Sequence, residues 1–423
     1  MVATHPPFEV VSRELPGGVT VIVRPDPLLG FTVLNVWHSV GSLHDPIGRS
    51  GLAHLVEHVM SGASEGIRDA PGPVGSVHAT TAYECTNYLE TGPASALPEL
   101  LAGAVDRIKS GAAGLSDAVL ERHRRIVLEE IHQREEPARF GSGLRRNLRL
   151  LFGADHPLGK PPFGALKEIS AMTPTDVRGF IERHYGTSRL VVSIIGPVHP
   201  EHAMELVARH MTGLPYGQPS GDGRLASAAS GRTRREDVQE GQPTGMLRYA
   251  IALPAARERL AAASEVVMTA LAGATWSVIG SDLVHEYRLL GALAQHERCG
   301  DGPSIGLLKI SAPAGVDLHD LEKAVAARLG DLARTGIRED VLTAAKAQRG
   351  KEQLAVLGSA RLCAEELCRE QSWSGDPSGI TGRLDAVRAV TVDQVSEIIA
   401  GPLARPSVVA FHTDPPGNPT WIV

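Results

Sequence analysis

Two stretches of this chain repeat each other. Residues 172–193, MTPTDVRGFIERHYGTSRLVVS, and residues 390–410, VTVDQVSEIIAGPLARPSVVA, each run from a threonine through an amphipathic helix and an arginine-containing turn into an apolar strand. Thr173 and Thr391 lie 218 positions apart in a chain of 423 residues, close to half its length. Agreement of cap, helix face and strand in the same order points to duplication of one α/β unit. Between the copies, YGQPSGDGRLASAASGRTRRED (216–237) has the Gly, Ser and Pro bias of a linker. The expected organisation is an N-terminal domain over 1–215, a linker over 216–237 and a homologous C-terminal domain over 238–423.

Local pattern fills in the first copy. VTVIVRPD (19–26) and FTVLNVWHSV (31–40) carry the β-branched density of strands, and each ends at a turn. A helix is expected from about Gly51 to Met60, then a Gly/Pro-rich break at 65–76 and a strand over 77–90, VHATTAYECTNYLE. Two longer helices follow, PELLAGAVDRIKSG and SDAVLERHRRIVLEEIHQREE.

Composition narrows the function classes. With 43% hydrophobic and 21% charged residues the chain can bury a sizeable core as a globular protein. A net charge of −6 without a basic block of five or more excludes a nucleic-acid footprint. No apolar run approaches the roughly 20 residues that cross a bilayer, so no membrane role is expected. The start, MVATHPPFEVVSRE, has no basic segment followed by an apolar core, and a cytoplasmic location is the expectation. Cys85, Cys299, Cys363 and Cys368 form no C-x-x-C pair and read as buried or free thiols in a reducing compartment.

Chemistry concentrates in GLAHLVEHVMSG (51–62). His54 and His58 stand four residues apart, on one face of a helix, where both imidazoles can reach a single ion. Glu57, at i+3 from His54, lies on the same side. Zinc suits such donors; a catalytic site uses three protein ligands and keeps one position open. A neighbouring carboxylate then takes the proton of the attacking water, which is the machinery of peptide hydrolysis. This H-x-x-E-H order is the signature of the inverzincin metallopeptidases.

The surroundings sharpen the likeness. DPIGRSGLAHLVEHVMSGAS (45–64) resembles the active-site segment of the pitrilysin/insulinase family. HPLGKPPFGALKEISAMTPTDVRGFIERHYGTSRLVVSIIGPV (156–198) is similar to that family's next characteristic block, and the tandem halves match its architecture. The length fits the subgroup that resembles mitochondrial processing peptidase subunits. The resemblance implies an α+β fold of two tandem homologous α/β sandwich domains. Each would be a mainly antiparallel sheet covered by helices, in the manner of LuxS and mitochondrial processing peptidase. It also implies Zn2+ as cofactor and a third ligand, a glutamate on a later helix, which the family's pattern places at Glu130 in LERHRRIVLEEIHQREEP. Glu135 fits the usual spacing from His58 better, but Glu130 sits at i+4 from Ile126, i+3 from Val127 and beside Ile131. A carboxylate on that apolar stripe needs a partner, and zinc supplies one. Glu129 and Glu135 read as solvated charges.

Further roles follow from the same resemblance. Peptide substrate would add as a strand along SVHATTAY (76–83), with His78, Ala79 and Thr80 against it. His78 replaces the family's usual asparagine and His123 a usual glutamate, each either supporting the site or a tolerated polar residue. In the second half Arg288 matches a substrate-contacting arginine, but the tyrosine seven residues on is Gln295. The expectation is a zinc endopeptidase subunit that pairs with a related subunit supplying Arg and Tyr, enclosing peptides or unfolded precursor segments in a dimeric chamber. A homodimer is the alternative assembly. A non-catalytic scaffold subunit is the alternative function, and the intact H-x-x-E-H argues against it.

Overall fold

The computed structural model describes residues 8–62, 76–135, 142–218, 234–239, 244–281, 283–404 and 408–413. It divides into two compact units, Met1–His132 with Pro161–Asp222 and Ala355–Thr381, and Gln133–Lys160 with Gly223–Leu354 and Gly382–Val423. These units do not follow the two halves of the chain: each draws in a helical segment from the other half.

The first unit is built on strands β1 (Val11–Glu14), β2 (Thr20–Pro25), β3 (Phe31–His38), β4 (Ser76–Thr81), β5 (Thr86–Pro93) and β6 (Leu190–Gly196), in the spatial order β1-β2-β6-β3-β5-β4. Only β2 and β6 run parallel; the other neighbours are antiparallel. Nearly every residue of β3 and all of β6 are buried, because helices cover both faces of the sheet. On one face lie α1 (Leu52–Gly62), α2 (Leu97–Ala113) and α3 (Asp117–Glu135), with Leu55, Leu101 and Val127 packed against Leu34, Val36 and Tyr88. Burial contributes about 1.5–3 kcal/mol for each such large apolar side chain.

The following helix, α4 (Ser142–Phe152), belongs to the second unit and packs on its sheet. α5 (Pro174–His184) and α6 (Pro200–Met211) return to the first unit. The sheet's opposite face is covered by a helix from the second half, α10 (Ala360–Ser374), whose Cys363, Leu367 and Cys368 pack on Ile22, Val33 and Val191. Polar residues of the inner strands hold it there. The Ser193 hydroxyl donates to the Ala364 carbonyl at 2.8 Å, and Asn35 Nδ2 donates to the same oxygen at 3.4 Å.

The second unit repeats the plan. Strands β7 (Arg234–Gln239), β8 (Gly245–Leu253), β9 (Gly291–Glu297), β10 (Ser304–Ala312) and β11 (Val408–Thr413) lie in the order β7-β11-β8-β10-β9, again with one parallel pair, β7 and β11. One face carries α7 (Ala261–Leu271), α8 (Leu318–Thr335), α9 (Glu339–Gly358) and α12 (Val392–Ile398); α11 (Gly379–Ala389) precedes the last. The orders superimpose term by term: β6 matches β11, β3 matches β8, β5 matches β10, and the edge strands β4 and β9 match each other. The threonines that mark the repeat both cap helices. Thr173 Oγ1 accepts from Asp176 N and Thr391 Oγ1 from Gln394 N, each at 3.3 Å, while the N3 side chain reaches back in a capping box.

Two sequence expectations are corrected. Residues 77–90 are not one strand but parts of a hairpin, β4 and β5, turning at Ala82–Cys85. Residues 234–237, assigned to the linker by composition, begin β7; 219–233 lie outside the described residues, as do most of 65–76. All four cysteines are buried as thiols, and burial pushes that of Cys363 up to about 11 and that of Cys368 up to about 12. No helix among the described residues is long and apolar enough to cross a membrane.

Candidate metal and catalytic site

Helix α1 enters the core without a Ser, Thr or Asp cap of its own. Asp45 serves instead, accepting from Gly51 N at 2.7 Å and Ala53 N at 2.9 Å, and Glu168 accepts from Ser50 N at 2.6 Å. Negative charge at these otherwise orphaned amides stabilises the helix start. Gly51 (φ +95°) and Gly164 (φ +90°) meet backbone to backbone; a Cβ on Gly51 would lie 2.7 Å from the Gly164 Cα. This contact brings the loop carrying Phe163 against the first turn of α1.

The consequence falls on His54. Its Nδ1 lies 3.3 Å from the Phe163 carbonyl oxygen. A carbonyl can only accept, so Nδ1 carries the proton and Nε2 is left with its lone pair, the tautomer a metal ligand needs. His58, one turn on, presents its own Nε2 beside it, with the ring centroids 4.8 Å apart. From α3, Glu130 places Oε2 3.6 Å from His54 Nε2 and Oε1 3.4 Å from His58 Nε2. His54, His58 and Glu130 form the one group of His, Cys, Asp or Glu side chains among the described residues whose donor atoms could hold a metal, all lying within 4.8 Å of one another.

The two separations from Glu130, 3.6 and 3.4 Å, fit zinc. Ligands about 2.0–2.1 Å from a tetrahedral ion stand about 3.4 Å from each other. Two neutral imidazoles and one carboxylate are also the chemistry zinc prefers in open, catalytic sites. The site is mostly enclosed, with side-chain exposures of 6% for His54, 16% for His58 and 32% for Glu130.

Glu57 is buried on the same helix, and the Thr81 hydroxyl at the end of β4 donates to its Oε2 at 2.7 Å. Thr81 was not singled out from sequence; its neighbours were. Along β4, Val77, Ala79 and Thr81 are partly buried, whereas His78 and Thr80 alternate with them and are exposed. Among the described residues β4 ends the sheet, with β5 as its one paired neighbour.

His123, two turns before Glu130 on α3, is buried with its ring against Gly62 at the end of α1, where any Cβ would collide with it. Ile126 is 40% exposed, so the stripe that α3 buries runs through Leu120, His123, Val127 and Ile131, not through Ile126 as the sequence reading had it. Glu130 borders that stripe. Glu129 is exposed, and the Glu135 side chain lies outside the described residues. In the second unit, Arg288 is exposed in a turn with φ +51°, and Gln295 is exposed on β9.

Residues 171–349 match the family model described as "Peptidase M16 inactive domain". An uncharacterized zinc protease of Mycobacterium leprae is 27% identical over 403 residues, covering 92% of this chain and 88% of that protein. The chain is therefore similar to M16 peptidases, by this domain match and by relatives named zinc proteases along most of its length. The beta subunit of mitochondrial-processing peptidase from Saccharomyces cerevisiae is 25% identical over 225 residues, 50% of this chain and 47% of that subunit. The crystal structure of a protease from Helicobacter pylori matches with a TM-score of 0.84 at 20% identity, over 96% of this chain and 99% of that one. That likeness bears out the two-domain α+β fold, and the M16 similarity bears out the pitrilysin/insulinase resemblance.

Proposed function

We propose that this M16-like chain is a zinc-dependent endopeptidase subunit, with zinc held by His54, His58 and Glu130 and with Glu57 as general base. The reading is supported by one observation: three donors from two helices converge within 4.8 Å of one another beside a buried carboxylate that Thr81 holds. When bound, zinc supplies Lewis acidity and lowers the pKa of a water towards neutrality. Glu57 takes the proton of the attacking water and returns it to the leaving amine. Thr81 orients the carboxylate by donating to its Oε2. Phe163 O keeps His54 in the ligating tautomer.

Substrate lies as an added strand along β4, where His78, Ala79 and Thr80 offer main-chain pairing with little sequence demand. By resemblance Arg288 is a further substrate-contacting residue. A related subunit completes a closed chamber and supplies the arginine and tyrosine, since Gln295 lacks a phenol. The likeness to a peptidase named as a subunit supports that division of labour over a homodimer. Peptides or unfolded precursor segments are the substrates, and the cytoplasm is the proposed location.

Glu57→Gln tests the chemistry. It should lower cleavage of an unfolded polypeptide by about 10²–10⁴-fold while zinc stays bound, because Glu57 acts on water and not on the ion. Zinc content and cleavage are measured on one preparation. Undiminished cleavage removes Glu57 from the mechanism, and loss of zinc makes it a ligand.

A further inference from the structure

Helix α1 is pinned at positions where one partner has no side chain. Just before its start Gly51 meets Gly164, and near its end the buried Met60 presses on Gly111 of α2, where a Cβ would lie 2.8 Å from Met60 Cγ. A further contact of this kind joins α1 to α3. A Cβ on Gly62 would lie 2.3 Å from both Cε1 and Nε2 of His123. The His123 ring therefore occupies the space that a side chain at 62 would take, and it is only 4% exposed there.

This contact and the candidate ligands share one seam. Gly62 follows His58 by four residues on α1, and His123 precedes Glu130 by seven on α3. At about 100° per residue, from 3.6 residues per turn, the members of each pair lie within about 40° of each other around their helix. The side of α1 that offers His58 to Glu130 thus also offers Gly62 to the His123 ring. His123 itself is not among the converging donors, which are His54, His58 and Glu130.

The other buried members of that α3 stripe, Leu120, Val127 and Ile131, join the apolar core. They decide which face of α3 turns inwards. A rigid ring set against a bare backbone position decides something else, how near α3 comes to α1. Metal–ligand distances tolerate changes of only about 0.2 Å, so that spacing matters to any ion shared between the two helices. Close-packed interiors transmit displacement. With α1 held at Gly51 and against α2, a change in the spacer falls on α3, the helix that carries Glu130.

We infer that His123 is a positioning residue for the metal site: its ring, seated on Gly62, sets the separation of α1 and α3 at which Glu130 reaches an ion shared with His54 and His58. The inference rests on the zinc reading above and extends it to a residue outside the ligand set.

Two measurements on the full chain test it: the zinc Kd, by competition with a chromophoric chelator, and the visible spectrum of the cobalt(II)-loaded protein, which follows coordination geometry. His123→Ala and Gly62→Ala should each weaken zinc about tenfold, the lower end for groups that support a ligand, and should shift the cobalt bands. His123→Gln keeps a planar group of similar reach and should retain most of the affinity. Combined, Gly62→Ala and His123→Ala should cost less than the product of their separate effects, because the methyl group enters space the ring has left. Leu120→Ala is the control. It loosens the same helix outside the contact and should leave both Kd and spectrum unchanged. Thermal unfolding without metal confirms that each variant folds. An unaltered chain that binds no zinc overturns the metal reading, and this inference with it. Zinc bound with unchanged Kd by both His123→Ala and Gly62→Ala overturns the positioning role alone. So does equal weakening by Leu120→Ala, which would make the effect one of general stability.

Discussion

The two edge-strand regions of this molecule are built from matching parts and carry different side chains. Beneath β4, helices α1 and α3 bring His54, His58 and Glu130 together with no basic side chain among the converging donors. Beneath β9, helices α7 and α9 bring Glu265 to Arg349, and α11 adds Arg383. In each half the second helix after the inner strand decides the outcome. A carboxylate there leaves a place for a cation; a guanidinium fills it. The fold thus repeats the same positions in both units, and a few side chains distinguish the proposed metal site from one whose carboxylate is paired with guanidinium groups. That the matched family description names an inactive domain over 171–349 agrees with this contrast.

Glu265→Ala should break the second site most severely. It removes the buried carboxylate that the half-buried Arg349 and Arg383 engage, at a cost of about 1.5–3 kcal/mol read as a lowered urea midpoint. A change below about 1 kcal/mol would mean that the arginines are held by other groups. In the first unit Gly62→Ala drives a methyl group into the His123 ring, and should cost about 1–3 kcal/mol by overpacking the α1–α3 contact that sets Glu130 against His58. Unchanged stability would show that α1 and α3 adjust freely there.

Smaller effects follow from single contacts. Thr81→Val removes the hydrogen bond to Glu57 and should lower kcat about tenfold with zinc content unchanged, the size expected for a bond to a charged group. An unaltered kcat would leave Thr81 as packing only. Acid should destabilise the two units unequally. Burial holds His38 at about 3, His184 at about 3 and His44 at about 4, all depressed. The unfolded chain protonates these first, so their contribution is full above about pH 6.5 and lost as pH falls towards 3. The second unit has His296 to lose in that window, but Glu265 stays ionised until about 2. Hydrogen exchange at pH 7 and pH 5 should show the first unit loosening more. Equal loosening would contradict the assignment of that slope to His38, His44 and His184.

What the sequence revealed depended on range. The i, i+4 spacing of His54 and His58 is local helix geometry and is legible directly. So are the two threonine caps, each closed within three residues. Glu130 was reached by resemblance and by an apolar stripe that included Ile126, which the structure exposes; the stripe's true third member is a histidine, His123, which no hydrophobic pattern can flag. The β4–β5 turn was missed because it is fixed from afar, with Ala82 O and Tyr83 O accepting from Ser42 N and Leu43 N. Asp45, Glu168 and the Phe163 carbonyl act through backbone groups and leave no residue-type signal. The exchange of α4 and α10 was hidden for another reason: an amphipathic face tells that a helix is buried, not against which sheet.

The account rests on zinc being held in the first half by these three residues. Zinc per chain, measured by mass spectrometry after exhaustive dialysis, tests it on three proteins: the unaltered chain, Glu130→Gln and Glu135→Gln. The unaltered chain and Glu135→Gln should each retain one zinc, and Glu130→Gln should lose most of it, since the charged oxygen leaves the ligand set. Zinc kept by Glu130→Gln and lost by Glu135→Gln would contradict the ligand assignment and the register of α3 on which it stands.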